Sequence, residues 1–141
     1  MKKNRFIISS LLAVLLAVGS AHAEEALRPE VGKPLQSAQE LIKAQKYKDA
    51  LAKIRDADAV AGKSAQESFT IERMRFVAAN GAGDADAAAK SLEALIASGK
   101  LAAADQQKFV QAVAVGYYRA KDYGKAITWT QRYFKEGGND G

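Results

Sequence analysis

Tyr117-Tyr118-Arg119-Ala120-Lys121-Asp122-Tyr123-Gly124-Lys125-Ala126 reads as the end of one helix, a tight turn and the start of the next. Asp122 opens the second helix. The stretch recurs upstream in degraded form, as Leu41-Ile42-Lys43-Ala44-Gln45-Lys46-Tyr47-Lys48-Asp49-Ala50 and as Ala79-Asn80-Gly81-Ala82-Gly83-Asp84-Ala85-Asp86-Ala87-Ala88. Aligned on the small residue that opens each second helix, the copies fall at Ala50, Ala88 and Ala126, two equal intervals of 38. A single helical hairpin cannot bury its apolar side alone, so equal spacing of hairpins implies that neighbours stack.

Working outward from these turns divides the chain into six helices. Pro34 suits the first turn of the first helix, where no N–H is needed. Leu35, Ala38, Leu41 and Ile42 give that helix one apolar face, ending near Gln45. The second begins around Lys48, carries Ala50, Leu51, Ile54, Ala57 and Val60, and stops at Gly62. Ser64-Ala65-Gln66-Glu67 is a capping box; it opens a third helix with Phe69, Ile71, Met74, Val77 and Ala78, ended by Asn80-Gly81 and Gly83. Asp84 caps the fourth, with Ala88, Leu92, Leu95 and Ile96 before Ser98-Gly99. The fifth starts within 102–105 and buries Phe109, Val110, Val113, Ala114 and Tyr117. Asp122 opens the sixth, which carries Ala126, Ile127, Trp129, Tyr133 and Phe134 and ends at Gly137-Gly138. No segment alternates as a strand does, and alanine is abundant, so the chain is all-α.

The small residues Ala50, Ala88 and Ala126 let paired helices approach closely, while Tyr47 and Tyr123 are expected to wedge against the preceding helix. These residues resemble the tetratricopeptide repeat. The third copy carries the likeness best, through Ala114, Tyr117, Lys121-Asp122-Tyr123 and Ala126, with Trp129 near the large position and Tyr133 at a usually small one. The first offers Ala38, Leu41, Gln45-Lys46-Tyr47, Ala50, Ile54 and Ala57. The second keeps Gly83-Asp84 and Ala88, but has Phe76 where a small residue is expected and Ala85 where the aromatic belongs. The likeness spans residues 33–136. Its interval of 38 exceeds the roughly 34 of the standard repeat, which places longer loops at 62–64 and 99–103. The longer Sel1-like variant has a glycine-rich turn that is missing here.

The resemblance implies a right-handed α-solenoid of three antiparallel helix pairs, with the first helix of each pair lining a concave surface. Mapped here, that surface takes Gln39, Ile42 and Lys43 from the first copy, Arg73, Val77 and Asn80 from the second, and Lys108, Gln111, Val115, Tyr118 and Arg119 from the third. The set is basic and rich in amides around apolar spots. It suits an extended peptide, or a chain end bearing a carboxylate, through charge-assisted hydrogen bonds. It does not reproduce the carboxylate-binding pattern of chaperone-docking members.

The N-terminus carries a different signal. Lys2, Lys3 and Arg5 precede an apolar run over residues 6–18, interrupted only by Ser9 and Ser10; Gly19-Ser20 breaks the run and Ala21-His22-Ala23 is a small-x-small site. This pattern is a secretory signal peptide cleaved after Ala23, and its run of 13 residues falls short of the roughly 20 of a spanning helix. The expected division is signal peptide 1–23, flexible lead-in 24–32, repeat domain 33–137 and polar tail 138–141. The formal charge is +5, but the 21 basic residues less the three in the signal leave 18 against 16 acids. A balance that small gives nucleic acid or anionic lipid little hold. The chain has no cysteine, and its one histidine, His22, leaves with the signal. The commonest general base, metal ligand and nucleophile are therefore missing from the mature chain.

Other candidates reduce to structure. Asp84-Ala85-Asp86 lacks the further acidic ligands and closing Glu of a calcium loop, since Ala87-Ala88-Ala89 fills that space. Gly81-Ala82-Gly83 follows no strand and lacks the Lys-Ser/Thr of a phosphate loop. Asp56 and Asp58 stand two apart on one helix and face different ways. The sequence thus points to a non-enzymatic periplasmic, or alternatively secreted, interaction or scaffold module without cofactor or metal. Its expected partner is a protein or peptide, held by a groove of Gln39, Lys43, Arg73, Asn80, Lys108, Gln111, Tyr118 and Arg119. Nucleic acid and stable membrane insertion are not expected. The alternative is a structural segment of a larger envelope assembly. The chain stops after the sixth helix, so Ile127, Trp129 and Phe134 are expected as an uncapped face for stacking or homo-oligomer formation.

Overall fold

The computed structural model describes residues 26–139. The signal-peptide reading and the last two residues of the tail lie outside the described residues. Among those described there are six helices and no strand: α1 (Pro29–Lys43), α2 (Tyr47–Asp58), α3 (Ala65–Ala82), α4 (Ala85–Ala97), α5 (Ala103–Arg119) and α6 (Tyr123–Lys135). The chain is all-α. Neighbours in sequence pack on one another throughout, and α3 in addition touches both α1 and α5.

The 38-residue interval reappears in the backbone. Gln45, Gly83 and Lys121 occupy equivalent positions and all adopt left-handed conformation, with φ of 59°, 77° and 63°. After each, the N–H of the next residue reaches back to close the helix: Lys46 to the Leu41 carbonyl at 2.8 Å, Asp84 to Ala79 at 2.9 Å and Asp122 to Tyr117 at 3.0 Å. This closure satisfies carbonyls that the last turn leaves free. The following helix is then capped by a side chain in two copies, as Asp84 accepts from the Ala87 N–H and Asp122 from the Lys125 N–H. Lys46 at the same position of the first copy makes no such bond.

Two packed clusters fill the interior. One holds Val31, Leu35, Ala38, Ala50, Ile54, Ala57, Ile71 and Ala78. The other joins Phe76 and Ala79 to the α4 residues Ala88, Leu92 and Leu95 and to Val110, Val113 and Tyr117 of α5. The Phe76 and Phe109 rings stack at 4.3 Å between centroids. Glycines 62, 99 and 137 turn the chain after α2, α4 and α6, each with positive φ. Side chains are disfavoured there.

Three expectations need correction. The first helix starts at Pro29 rather than Pro34, so 29–32 are helix rather than lead-in and Pro34 sits inside it. The added turn buries Val31, and Arg28 fixes its start through Glu67; these contacts offset the backbone bond that Pro34 cannot donate. Val77 is exposed while Phe76 is buried. Helix α3 is covered from several sides, which blurs its single-face periodicity. Tyr47, expected against the preceding helix, lies against Gly81 of α3, in the following pair.

Candidate interaction surface

A groove of about 680 Å³ opens between α5 and α6. Gln111, Val115 and Tyr118 of α5 form one wall; Tyr123, Ile127 and Phe134 of α6 form the other. The α5 residues follow one another at helical spacing, and so do those of α6, because each helix turns one row toward the cleft. Ala114 and Ala126 lie at its floor, small enough to let the helices approach. The Tyr118 and Tyr123 rings meet edge to face at 5.6 Å. No lining residue is charged.

The groove unites residues that the sequence reading had assigned to two different surfaces. Gln111, Val115 and Tyr118 come from the expected concave row, Ile127 and Phe134 from the expected stacking face. Trp129, the third residue of that expected face, does not line the groove. It packs against the second cluster with the Arg132 guanidinium 4.9 Å over its ring. The other expected row residues lie outside the groove. Gln39 and Asn80 are exposed on α1 and α3, and Lys43 pairs with Glu40 at 3.0 Å on its own helix. Arg73 pairs with Asp105 of α5 at 3.3 Å. Lys108 and Arg119 are exposed on α5 and have no ion-pair partner among the described residues.

The walls are held by polar ties between α6 and its neighbours. Tyr117 donates its hydroxyl to Asp86 at 2.8 Å, and Lys125 of α6 donates to the same carboxylate oxygen at 2.7 Å. The Lys125 ammonium also stands 5.0 Å over the Tyr117 ring. Lys125 and then Tyr117 hold the Asp86 carboxyl below its usual range. Burial, reinforced by the negative Asp86, pushes Tyr117 up to about 12. Arg132 joins Glu93 of α4 to Glu136, and Gln106 of α5 donates to Glu136 at 2.9 Å. Arg132 in turn holds the Glu136 carboxyl below its usual value.

A second polar centre lies at the other end, and the sequence reading missed half of it. Glu67 closes the expected capping box, accepting from the Ser64 N–H at 2.9 Å. It is also 2 % exposed and accepts from the Arg28 backbone N–H at 3.0 Å, Nε at 2.9 Å and Nη2 at 2.8 Å. The Arg28 side chain, with the Ser64 N–H, outweighs burial and lowers the Glu67 carboxyl to about 2. Every lone pair is occupied, so this is a structural clasp rather than a reactive acid. The one hint in the sequence was an arginine just before Pro29, at a helix start.

Asp84 and Asp86 are likewise engaged, in capping and in the Tyr117–Lys125 network. No group of three or more His, Cys, Asp or Glu side chains able to hold a metal stands together among the described residues. Among them, too, no helix is long and apolar enough to cross a membrane. No family model, curated protein or solved structure matches the chain.

Proposed function

We propose that this chain is a non-enzymatic protein-interaction module, a tetratricopeptide-like solenoid of three helix pairs, acting in the bacterial periplasm after export. The observation that carries the reading is the uncovered apolar groove between α5 and α6. Exposed tyrosine and branched aliphatic side chains around a cleft are costly to leave in water and well suited to a partner's side chains. Support for a solenoid comes from the turn geometry that repeats every 38 residues. Support for export comes from the basic, apolar and small-x-small order of residues 1–23. A mature chain without His or Cys fits binding better than catalysis.

The test is capture from periplasmic extract on the immobilised full chain, with chemical cross-linking. A defined partner is expected on the wild type and lost on the double variant Tyr118→Ala/Ile127→Ser. Both residues are exposed, so the variant keeps its helix content. Recovery of no partner, or equal recovery on both proteins, overturns the reading.

A further inference from the structure

The groove is the third copy of a surface that the first two pairs keep covered. One interval of 38 before Tyr123, Ile127 and Thr130 stand Ala85, Ala89 and Leu92; one interval earlier stand Tyr47, Leu51 and Ile54. In the first two pairs this surface is packed against the first helix of the next pair. Helix α3 lies on α1 and α2, and α5 lies on α3 and α4. Exposure follows the cover: Ala85 is 7 % and Ala89 8 % exposed, against 54 % for Tyr123 and 58 % for Ile127.

The two covering helices share a way of seating. Each sets a glycine against the residue that opens the second helix beneath it. Gly81 of α3 meets the Tyr47 ring, and a Cβ on Gly116 of α5 would stand 3.4 Å from the Ala85 Cβ. Each places an apolar row on the cluster below: Ile71, Met74 and Ala78 in α3, Phe109, Ala112 and Val113 in α5. The α5 helix also brings Asp105 to the Arg73 side chain of the helix it covers.

We infer that the α5–α6 groove receives an amphipathic helix of a partner protein, one bearing an apolar stripe, a glycine opposite Tyr123 and acidic flanks. It lies across α5 and α6 as α5 lies across α3 and α4. The inference rests on the interaction-module reading and names its ligand. Charge complementarity selects the flanks. Lys108 lies one helical turn from the lining residue Gln111, and Arg119 and Lys135 follow Tyr118 and Phe134 in sequence; all three are exposed, without ion-pair partners among the described residues, and no lining residue is charged.

A second copy of this chain fits less well. Its α1 holds the matching place in the repeat, but the face that would seat there is Lys33, Gln36, Glu40 and Lys43, all exposed and polar. Pairing groove to groove would bring two basic rims together. An extended peptide would set its backbone polar groups against a mostly apolar wall, whereas a helix satisfies its own.

The probe is a synthetic fluorescent helix of about 18 residues, with an alanine-leucine stripe, one central glycine and glutamate flanks, titrated by anisotropy into the full chain. Saturable binding is expected, weakened about tenfold or more by lysine flanks or by glycine-to-leucine in the probe. Ile127→Glu should abolish it without loss of helix content, and Lys108→Glu/Arg119→Glu/Lys135→Glu should reverse the preference toward lysine flanks. Equal binding of both flank types, or undiminished binding to Ile127→Glu, overturns the inference. So does a wild-type dimer in sedimentation that Ile127→Glu dissociates, which gives the groove to a second copy. If extract yields a partner lost on Tyr118→Ala/Ile127→Ser while the probe fails to bind, the module stands and the helix ligand falls. If both assays are blank, both fall. A probe that binds while extract yields no partner sinks the module reading and, with it, the assignment of the helix to a partner protein.

Discussion

Helices α4 and α6 occupy the same place in the repeat, one interval apart, yet they are held in opposite ways. Helix α4 buries Ala85, Ala88, Ala89, Ser91, Leu92 and Leu95, whereas α6 buries Ala126 alone. The difference lies in their neighbours. α5 covers α4, and no described helix covers the outer face of α6. Polar ties hold α6 at its edges instead, through Lys125 to Asp86, Arg132 to Glu93 and, just past its end, Glu136 to Gln106. In a stacked array, burial is set by the next unit as much as by the helix's own sequence.

The largest expected effect sits on that contrast. Leu92 and Thr130 are equivalent positions, but Leu92 is fully enclosed and Thr130 is exposed. Leu92→Ala should destabilise by about 2–5 kcal/mol, through lost transfer energy and the cavity left behind. Thr130→Ala should stay within about 0.5 kcal/mol, as surface changes do. Urea denaturation of both variants decides it. A cost at Thr130 rivalling that at Leu92 would mean that the α6 face is covered in solution and would break the comparison.

The clasp at the other end comes next. Glu67→Gln keeps the size and some acceptors but discards the charge that Arg28 faces, so Tm should fall by several degrees, with α1 fraying first. The pH dependence has a definite sign. The folded carboxyl lies near 2, below its ordinary value, so its stabilisation is present at neutral pH and down to the ordinary glutamate range. It is lost as pH falls toward 2. Thermal melts across that window should show a steep acid loss in the wild type and a shallower one in Glu67→Gln.

How far these features could be read in the sequence depends on their range. The six helices, the capping box at Ser64 and the caps at Asp84 and Asp122 are local, and spacing and residue type mark them. The start of α1 was misread because Pro34 looks like a first-turn proline, while what fixes the start is a contact between Arg28 and Glu67, far apart in sequence. Spacing counts Val77 on the apolar face of α3 and passes over Phe76 because α3 is packed on several sides and no single stripe describes it. The row on α1 and α3 was legible as exposed, but nothing in sequence marked Arg73 as already bound to Asp105. The two surfaces proposed around α5 and α6 turned out to face one cleft, which only the packing angle of the hairpin could reveal.

A smaller test uses the three repeated turns. Gly83 and Lys121 share a left-handed conformation, but one is a residue suited to it and the other is not. Gly83→Ala should cost about 1–2 kcal/mol, the penalty of placing a Cβ in that region. Lys121→Gly removes the same penalty and adds chain entropy to the unfolded state, so it should be neutral to slightly stabilising. If the two substitutions shift stability alike, the turns are not equivalent, and the comparison of α4 with α6 loses its register.

The smallest effect concerns the tie of α5 to α4 through Tyr117, which shares Asp86 with Lys125 of α6. Tyr117→Phe deletes a hydroxyl bonded to Asp86 and leaves the ring packed. Asp86 is well exposed and keeps Lys125, so water replaces the lost donor and the cost should be about 0.5–1.5 kcal/mol. The alkaline side gives the sharper reading. Burial first, then the Asp86 charge, carries the Tyr117 hydroxyl up to about 12, above its ordinary 10.0. The unfolded chain therefore gives up this proton before the folded one does. The stabilisation is whole below the ordinary value and disappears as pH rises through 12. Absorbance titration should find a late tyrosine step near 12 that is absent in Tyr117→Phe. If that late step survives the substitution, it belongs to another tyrosine, and α6 is held by Arg132 and Glu93 more than by this network.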